Sequence, residues 1–181
     1  KAAMNKRLIL LISIIALVSA CALGQSGKKF YKAGKKFYET MKYEDAIAQY
    51  SSAIGIEPSN PLYYNARGKA FEELGKNAEA KADYDKAAVF SPKDVNTFVR
   101  LGAISYKLGQ YKEALVHLNR ATGLDKRNKD AYPEKVKTLL KLEKFDQAKL
   151  ASDTAMILLK DNPMTYYWRG VIYARLNNDF S

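Results

Sequence analysis

The sequence predicts an all-α protein of tandem antiparallel helix pairs, preceded by a short apolar targeting segment. Three observations carry this. Small and aromatic residues recur every 34 positions along most of the 181-residue chain. Within each period they fall at i, i+4 and i+7, the spacing of one helix face. An apolar run, Leu8 to Val18, stands ahead of the repeats and ends close to Cys21, the single cysteine.

The targeting segment reads from Met4, which leaves Lys1, Ala2 and Ala3 as non-native or upstream residues. Lys6 and Arg7 give a basic start, Leu8 to Val18 an apolar centre, and Ser19 and Ala20 a small-residue end. At about 1.5 Å per residue, such a helix falls well short of a hydrocarbon layer roughly 30 Å thick. A cleaved signal suits it better than a permanent span. The run Val18-Ser19-Ala20-Cys21 resembles the lipobox of bacterial lipoproteins. That resemblance implies lipid on the Cys21 sulfur, cleavage before Cys21 and acylation of the new amino terminus. Residues 1–20 are then the signal peptide and 21–27 a small, flexible tether. Acyl chains contribute about 0.8 kcal/mol per buried methylene, enough in combination to hold the protein on a bilayer. No acid follows Cys21 in the tether. By resemblance to sorting signals, this points to the periplasmic face of the outer membrane.

Charge narrows the partners. Thirty Lys and Arg against 19 Asp and Glu give a net charge of +11, which favours acidic partners or anionic surfaces. Nucleic acid would suit a cytosolic chain of this charge but not an exported one. One cysteine forms no intrachain disulfide, so the fold rests on packing.

The repeats follow the tether. Gly34, Gly68 and Gly102 share the 34-residue interval, as do Ala46, Ala80, Ala114 and Ala148, and Ala53, Ala87, Ala121 and Ala155. Aromatics keep phase at Phe30, Tyr64, Phe98, Tyr132 and Tyr166. Phe30, Gly34 and Phe37 mark the first helix of a pair, and Ala46, Tyr50 and Ala53 the second. A small residue opposite a large one lets the two interlock. Pro58 and Pro92 help end second helices, since proline donates no backbone bond. Asn60 before Pro61, Asn162 before Pro163, and Asp94 are the expected N-caps of the next first helices. The third repeat departs at Ser105 and Lys126, and the fourth at Val136, Ser152 and Lys160.

These rows resemble the tetratricopeptide repeat (TPR): Phe30, Gly34, Phe37, Ala46, Tyr50, Ala53 and Pro58, then Tyr64, Gly68, Phe71, Ala80, Tyr84, Ala87 and Pro92. The resemblance implies a right-handed superhelical solenoid over residues 28–181. Its repeats would span about 27–60, 61–94, 95–128 and 129–162, with a truncated fifth from 163 to 181. An uncovered last helix would expose apolar surface, so the chain is expected to be the front of a longer protein.

In such solenoids the first helices line the concave face. The expected partner-binding groove comprises Tyr31, Lys35, Tyr38, Asn65, Lys69, Asn96, Arg100 and Tyr106, continued by Lys137, Lys141, Tyr167 and Trp168. Its mixture of Lys, Arg, Asn and Tyr suits an extended protein segment or peptide bearing carboxylates. The terminal-carboxylate clamp of chaperone-binding relatives is not matched in either frame. Lys28, Lys29, Lys32 and Lys36, beside Lys35, form a basic cluster near the lipid end, placed either to meet anionic headgroups or simply to be solvated. Catalysis finds no constellation: His117 is the only histidine, Cys21 is committed to lipid, and no phosphate loop appears. No metal and no cofactor is expected. The expected function is a non-catalytic scaffold or adaptor of the bacterial envelope, in a secretion, motility or outer-membrane assembly machine. The rival is the amino-terminal part of a larger lipoprotein whose enzymatic or peptidoglycan-binding module lies beyond Ser181.

Overall fold

The computed structural model describes residues 27–178, and every regular element among them is an α-helix. The lipobox Val18, Ser19 and Ala20, the lipidation site Cys21, and the signal segment lie outside the described residues. Helix α1 covers 27–39. It is followed by α2 (Tyr43–Ile56), α3 (Pro61–Glu73), α4 (Asn77–Phe90), α5 (Val95–Lys107), α6 (Tyr111–Leu124), α7 (Ala131–Lys141), α8 (Phe145–Leu158) and α9 (Pro163–Asn178). Odd-numbered helices are the first members of the repeats. The chain divides into two compact units, 1–75 and 76–181.

The corners are closed by local bonds. The Asn60 side chain accepts from Leu62 N, Asp94 from Asn96 N and Asn162 from Met164 N, as capping predicts. A fourth member of this row, Asn128, accepts from both Asp130 N and Ala131 N. Two turn residues precede α7, so it starts at Ala131 with Pro133 in its first turn, where a missing N–H is harmless. The Tyr64 hydroxyl donates to the Pro58 carbonyl at 2.8 Å, Tyr132 to Lys126 at 3.0 Å and Tyr166 to Lys160 at 3.3 Å. Lys126 and Lys160 thus keep the backbone part of a position that elsewhere holds proline. In the third repeat Phe98 has no hydroxyl, and Arg120 Nη2 reaches the Pro92 carbonyl instead, at 3.4 Å.

Inside each repeat one residue adopts the left-handed region: Met41 (φ 59°), Gly75 (φ 70°), Gly109 (φ 75°) and Glu143 (φ 57°). These too lie 34 apart. Glycine enters that region without strain, whereas a side chain costs roughly 1–2 kcal/mol there.

In the first unit α2 packs on α3, and α1 crosses α2 at Gly34. A Cβ there would lie 2.5 Å from Tyr50 Cε1, so only glycine admits the ring. Ala46, Tyr50 and Ala70 form the buried centre, with Tyr31, Phe37 and Tyr38 packed against it.

In the second unit each helix packs on the next from α4 to α9. The first helices also adjoin one another, α5 against α7 and α7 against α9. Gly102 marks the α5–α6 crossing, where a Cβ would sit 2.4 Å from Leu118 Cγ. Val136, Leu139, Ala148, Trp168 and Ile172 belong to one buried cluster. Ser105 and Ser152, which stand in aromatic rows, are buried with no hydrogen-bond partner for either hydroxyl among the described residues.

Candidate functional site

In each unit the first helices keep several of the predicted groove residues in solvent. In the first unit Lys35 is exposed while Asn65 and Lys69 are half-buried on α3. Tyr31 is partly structural: its ring lies 5.8 Å from Tyr50 and 5.3 Å from Tyr63. Burial raises the Tyr50 phenol to about 12, with Tyr31 and Glu39 adding to it. Burial and the bond to Glu57 raise Tyr63 to about 12 as well. Both stay neutral donors at ordinary pH.

Tyr38 sits at the centre of a tighter group. Its ring meets Tyr43 edge-on at 5.3 Å, and Lys69 Nζ lies over it at 4.8 Å. Its hydroxyl donates to Glu73 Oε1 at 2.6 Å. The arrangement recurs two periods on: Tyr106 lies 5.2 Å from Tyr111, and Lys137 Nζ is 5.8 Å above the Tyr106 ring. Lys137 also donates to Glu134 Oε1 at 2.6 Å.

Elsewhere in the second unit Asn96 is exposed at the start of α5. Arg100 lies with its guanidinium 5.9 Å from the Tyr84 ring centre, so α4 shares it. Lys141 and Tyr167 are exposed. Trp168 does not line the groove: it is 7% exposed and belongs to the core cluster with Val136 and Ile172. One helical step, about 100°, separates it from Tyr167, and that step turns the indole inward.

The sequence reading missed three groups. Tyr43 and Tyr111 open second helices, outside the rows that were followed. Lys107 and Arg175 share the register of Lys141, at the last turns of α5 and α9. Lys135 Nζ is half-buried, donates to Thr122 Oγ1 at 3.3 Å and is held below the usual lysine range by burial.

Lys28, Lys29, Lys32 and Lys36 are all exposed and, with Ala33, line a shallow depression on α1. On the outer side of the second unit, Lys81 Nζ bridges Glu113 at 2.8 Å and Asp85 at 3.1 Å. His117 Nε2 lies 3.6 Å from Glu113 Oε1. Among the described residues no three His, Cys, Asp or Glu side chains group to hold a metal ion. No described helix is long and apolar enough to cross a membrane.

Stacked helix pairs with glycine crossings and a first-helix face left to solvent define a helical-repeat protein. Family models narrow the class: one described as TPR repeat matches residues 34–75, and one described as tetratricopeptide repeat matches 62–94 and 95–128. The chain belongs to the tetratricopeptide-repeat family. Its structure is similar to that of MamA (19% identity, 85% of this chain and 84% of that one, TM-score 0.82). It is also similar to YrrB, described as a TPR protein with an unusual peptide-binding site (24%, 82% and 77%, 0.75). A third is the first TPR of Spaghetti bound to the HSP90 peptide SRMEEVD (27%, 66% and 95%, 0.65). No curated protein matches by sequence.

Proposed function

We propose that the chain is a non-catalytic scaffold of the bacterial envelope, holding a partner protein or peptide on the exposed face of its first helices. The observation that carries this is the make-up of that face. Lys35, Asn96, Lys141 and Tyr167 remain exposed while Gly34, Gly102 and Ala148 are buried. Side chains that packing leaves in solvent on the adjoining helices α5, α7 and α9 can meet an extended ligand residue by residue. Two similar structures are described as peptide-binding or peptide-bound. The clamp pattern of chaperone-binding relatives is not matched, which speaks against a terminal carboxylate as the ligand.

Lipid on Cys21 would place the protein on a membrane, on the lipobox reading, at the periplasmic face of the outer membrane. The exposed Lys28, Lys29, Lys32 and Lys36 then stand beside the anchor, where each adds about 1 kcal/mol near an anionic leaflet. A role in a secretion, motility or outer-membrane assembly machine fits such a tethered scaffold.

Two measurements test this. Cys21→Ala should move the protein from the membrane fraction to the soluble one and abolish labelling by a palmitate analogue; retention with label intact sinks the anchor. Crosslinking in the native envelope, with a photoreactive residue at Asn96 or Tyr167, should capture one dominant protein. Equal capture from Val89 or Ile157, exposed on second helices, would show that the first-helix face is not the binding face.

A further inference from the structure

The two Tyr–Tyr–Lys groups differ in one respect that bears on the ligand. At Tyr38 the group is completed by a carboxylate, Glu73, which accepts the hydroxyl. At Tyr106 the residue in the register of Glu73 is Lys141, exposed at the end of α7. Lys107 and Arg175, one period to either side, continue the row on the last turns of α5 and α9 and are also exposed. In the first unit the same row reads Glu39 and Glu73. Cations in a last turn complement the helix dipole, but that preference would apply to every first helix. It does not explain a row that is acidic in one unit and basic in the other.

We propose that the α5–α7–α9 edge of the second unit binds an extended acidic segment of a partner protein, with one ligand carboxylate taking at Tyr106 the place Glu73 takes at Tyr38. This rests on the scaffold reading above and names the ligand class. Tyr106 supplies a hydroxyl donor, and Lys141 and, one period on, Arg175 supply charge-assisted bonds. Lys137 is held by Glu134 and serves mainly to fix the ring. Adjoining helices stand about 8–10 Å apart, and an extended chain advances about 3.3 Å per residue. Acids at about every third position therefore match the row. Leu140, half-buried and next to Lys141 in the last turn of α7, offers the intervening residues apolar surface. Apolar surface between the cations favours a peptide over a nucleic acid strand, whose charges come at every nucleotide.

The test uses the full chain and a nine-residue peptide with Glu at every third position and Val or Ala between, measured by calorimetry. Lys141→Glu rebuilds the first unit's arrangement and should weaken binding at least about tenfold. Tyr106→Phe should weaken it by about three- to tenfold, since it loses one bond to a charged group. Circular dichroism checks that each variant is folded. The proposal is overturned by unchanged binding in Lys141→Glu or by no peptide binding at all. It is equally overturned if a peptide of the same composition with adjacent glutamates, or a single-stranded oligonucleotide, binds as tightly. A crosslinked envelope partner that still binds Lys141→Glu would leave the scaffold standing and remove only this assignment.

Discussion

The first unit closes its helix crossing with an aromatic ring and the second with a branched aliphatic chain. Gly34 faces Tyr50, which is 2% exposed, and Gly102 faces Leu118, which is fully buried. The glycine register is conserved between them while the opposing shape is not. What the fold requires at a crossing is therefore missing volume on one helix, and several side chains can fill it. Gly170 of α9 keeps the same register, yet a Cβ there meets nothing within 4 Å. Among the described residues the register is present at α9 without a packed neighbour at that point.

The largest effects should come from filling those gaps. Gly34→Ala and Gly102→Ala should each destabilise by about 1–3 kcal/mol in urea unfolding, despite the better helix propensity of alanine. Gly34→Ala should be the larger, because a buried ring cannot swing aside as an isobutyl group can, and Tyr50→Leu should partly rescue it. Gly170→Ala should instead stabilise by about 0.5–1 kcal/mol, the mid-helix glycine penalty. A loss at Gly170 equal to that at Gly102 would end the distinction between packed and open register positions.

Next in size are the hydroxyls that close the corners. Tyr64→Phe in the first unit and Tyr132→Phe in the second each remove one bond to a turn carbonyl, at about 0.5–1.5 kcal/mol. The larger loss is expected at Tyr64, whose bond is part-buried and 2.8 Å long, against 3.0 Å and exposed at Tyr132. Phe98 shows that the fold tolerates the missing hydroxyl where Arg120 substitutes for it.

The smallest effect separates the units by charge. Lys81, Glu113 and His117 tie α4 to α6 in the second unit. The hydrogen bond from Lys81 holds Glu113 below the usual carboxylate range, with Lys81 and His117 charges adding to it against burial. Burial pushes Lys81 down, but its bonds to Glu113 and Asp85 outweigh that and raise it. A depressed acid contributes stability above its unfolded value of 4.5, which is lost as pH falls through the folded value. A raised lysine contributes below its unfolded value of 10.5, and that is lost as pH rises through the folded one. The pair therefore contributes fully between those limits. Glu113→Gln should lower the urea midpoint at pH 7 by less than about 1 kcal/mol equivalent, Glu113 being partly exposed. The difference should shrink as pH falls below 4.5 and vanish below the folded value. A difference that persists there would assign the effect to packing.

The sequence exposed the architecture because its governing contacts are periodic. Gly34 and Gly102, the Ala rows, and the caps Asn60, Asp94 and Asn162 all repeat at one interval, so each observation reinforced the rest. Rows with mixed membership were harder to read. The left-handed turn joins Gly75 and Gly109 to Met41 and Glu143, and two side-chain-bearing members hide the row. Asn128 caps like its three counterparts, but no proline follows it at once to mark the start of a helix. The Tyr38 and Tyr106 groups were legible only in part. Tyr38, Lys69 and Tyr106 came from the first-helix pattern, whereas Tyr43 and Tyr111 enter across a turn that helical spacing does not bridge. Trp168 was misplaced because adjacent residues on a helix point about 100° apart.

The bonds that shape each corner are short in sequence: Asn60 to Leu62, Tyr64 to Pro58, Asn128 to Ala131, Tyr166 to Lys160. None needs a distant segment to arrive first. Little loop-closure entropy opposes these bonds. A chain delivered end-first in extended form could lock each bend as it emerges, so that the polypeptide zips up progressively rather than awaiting its far terminus.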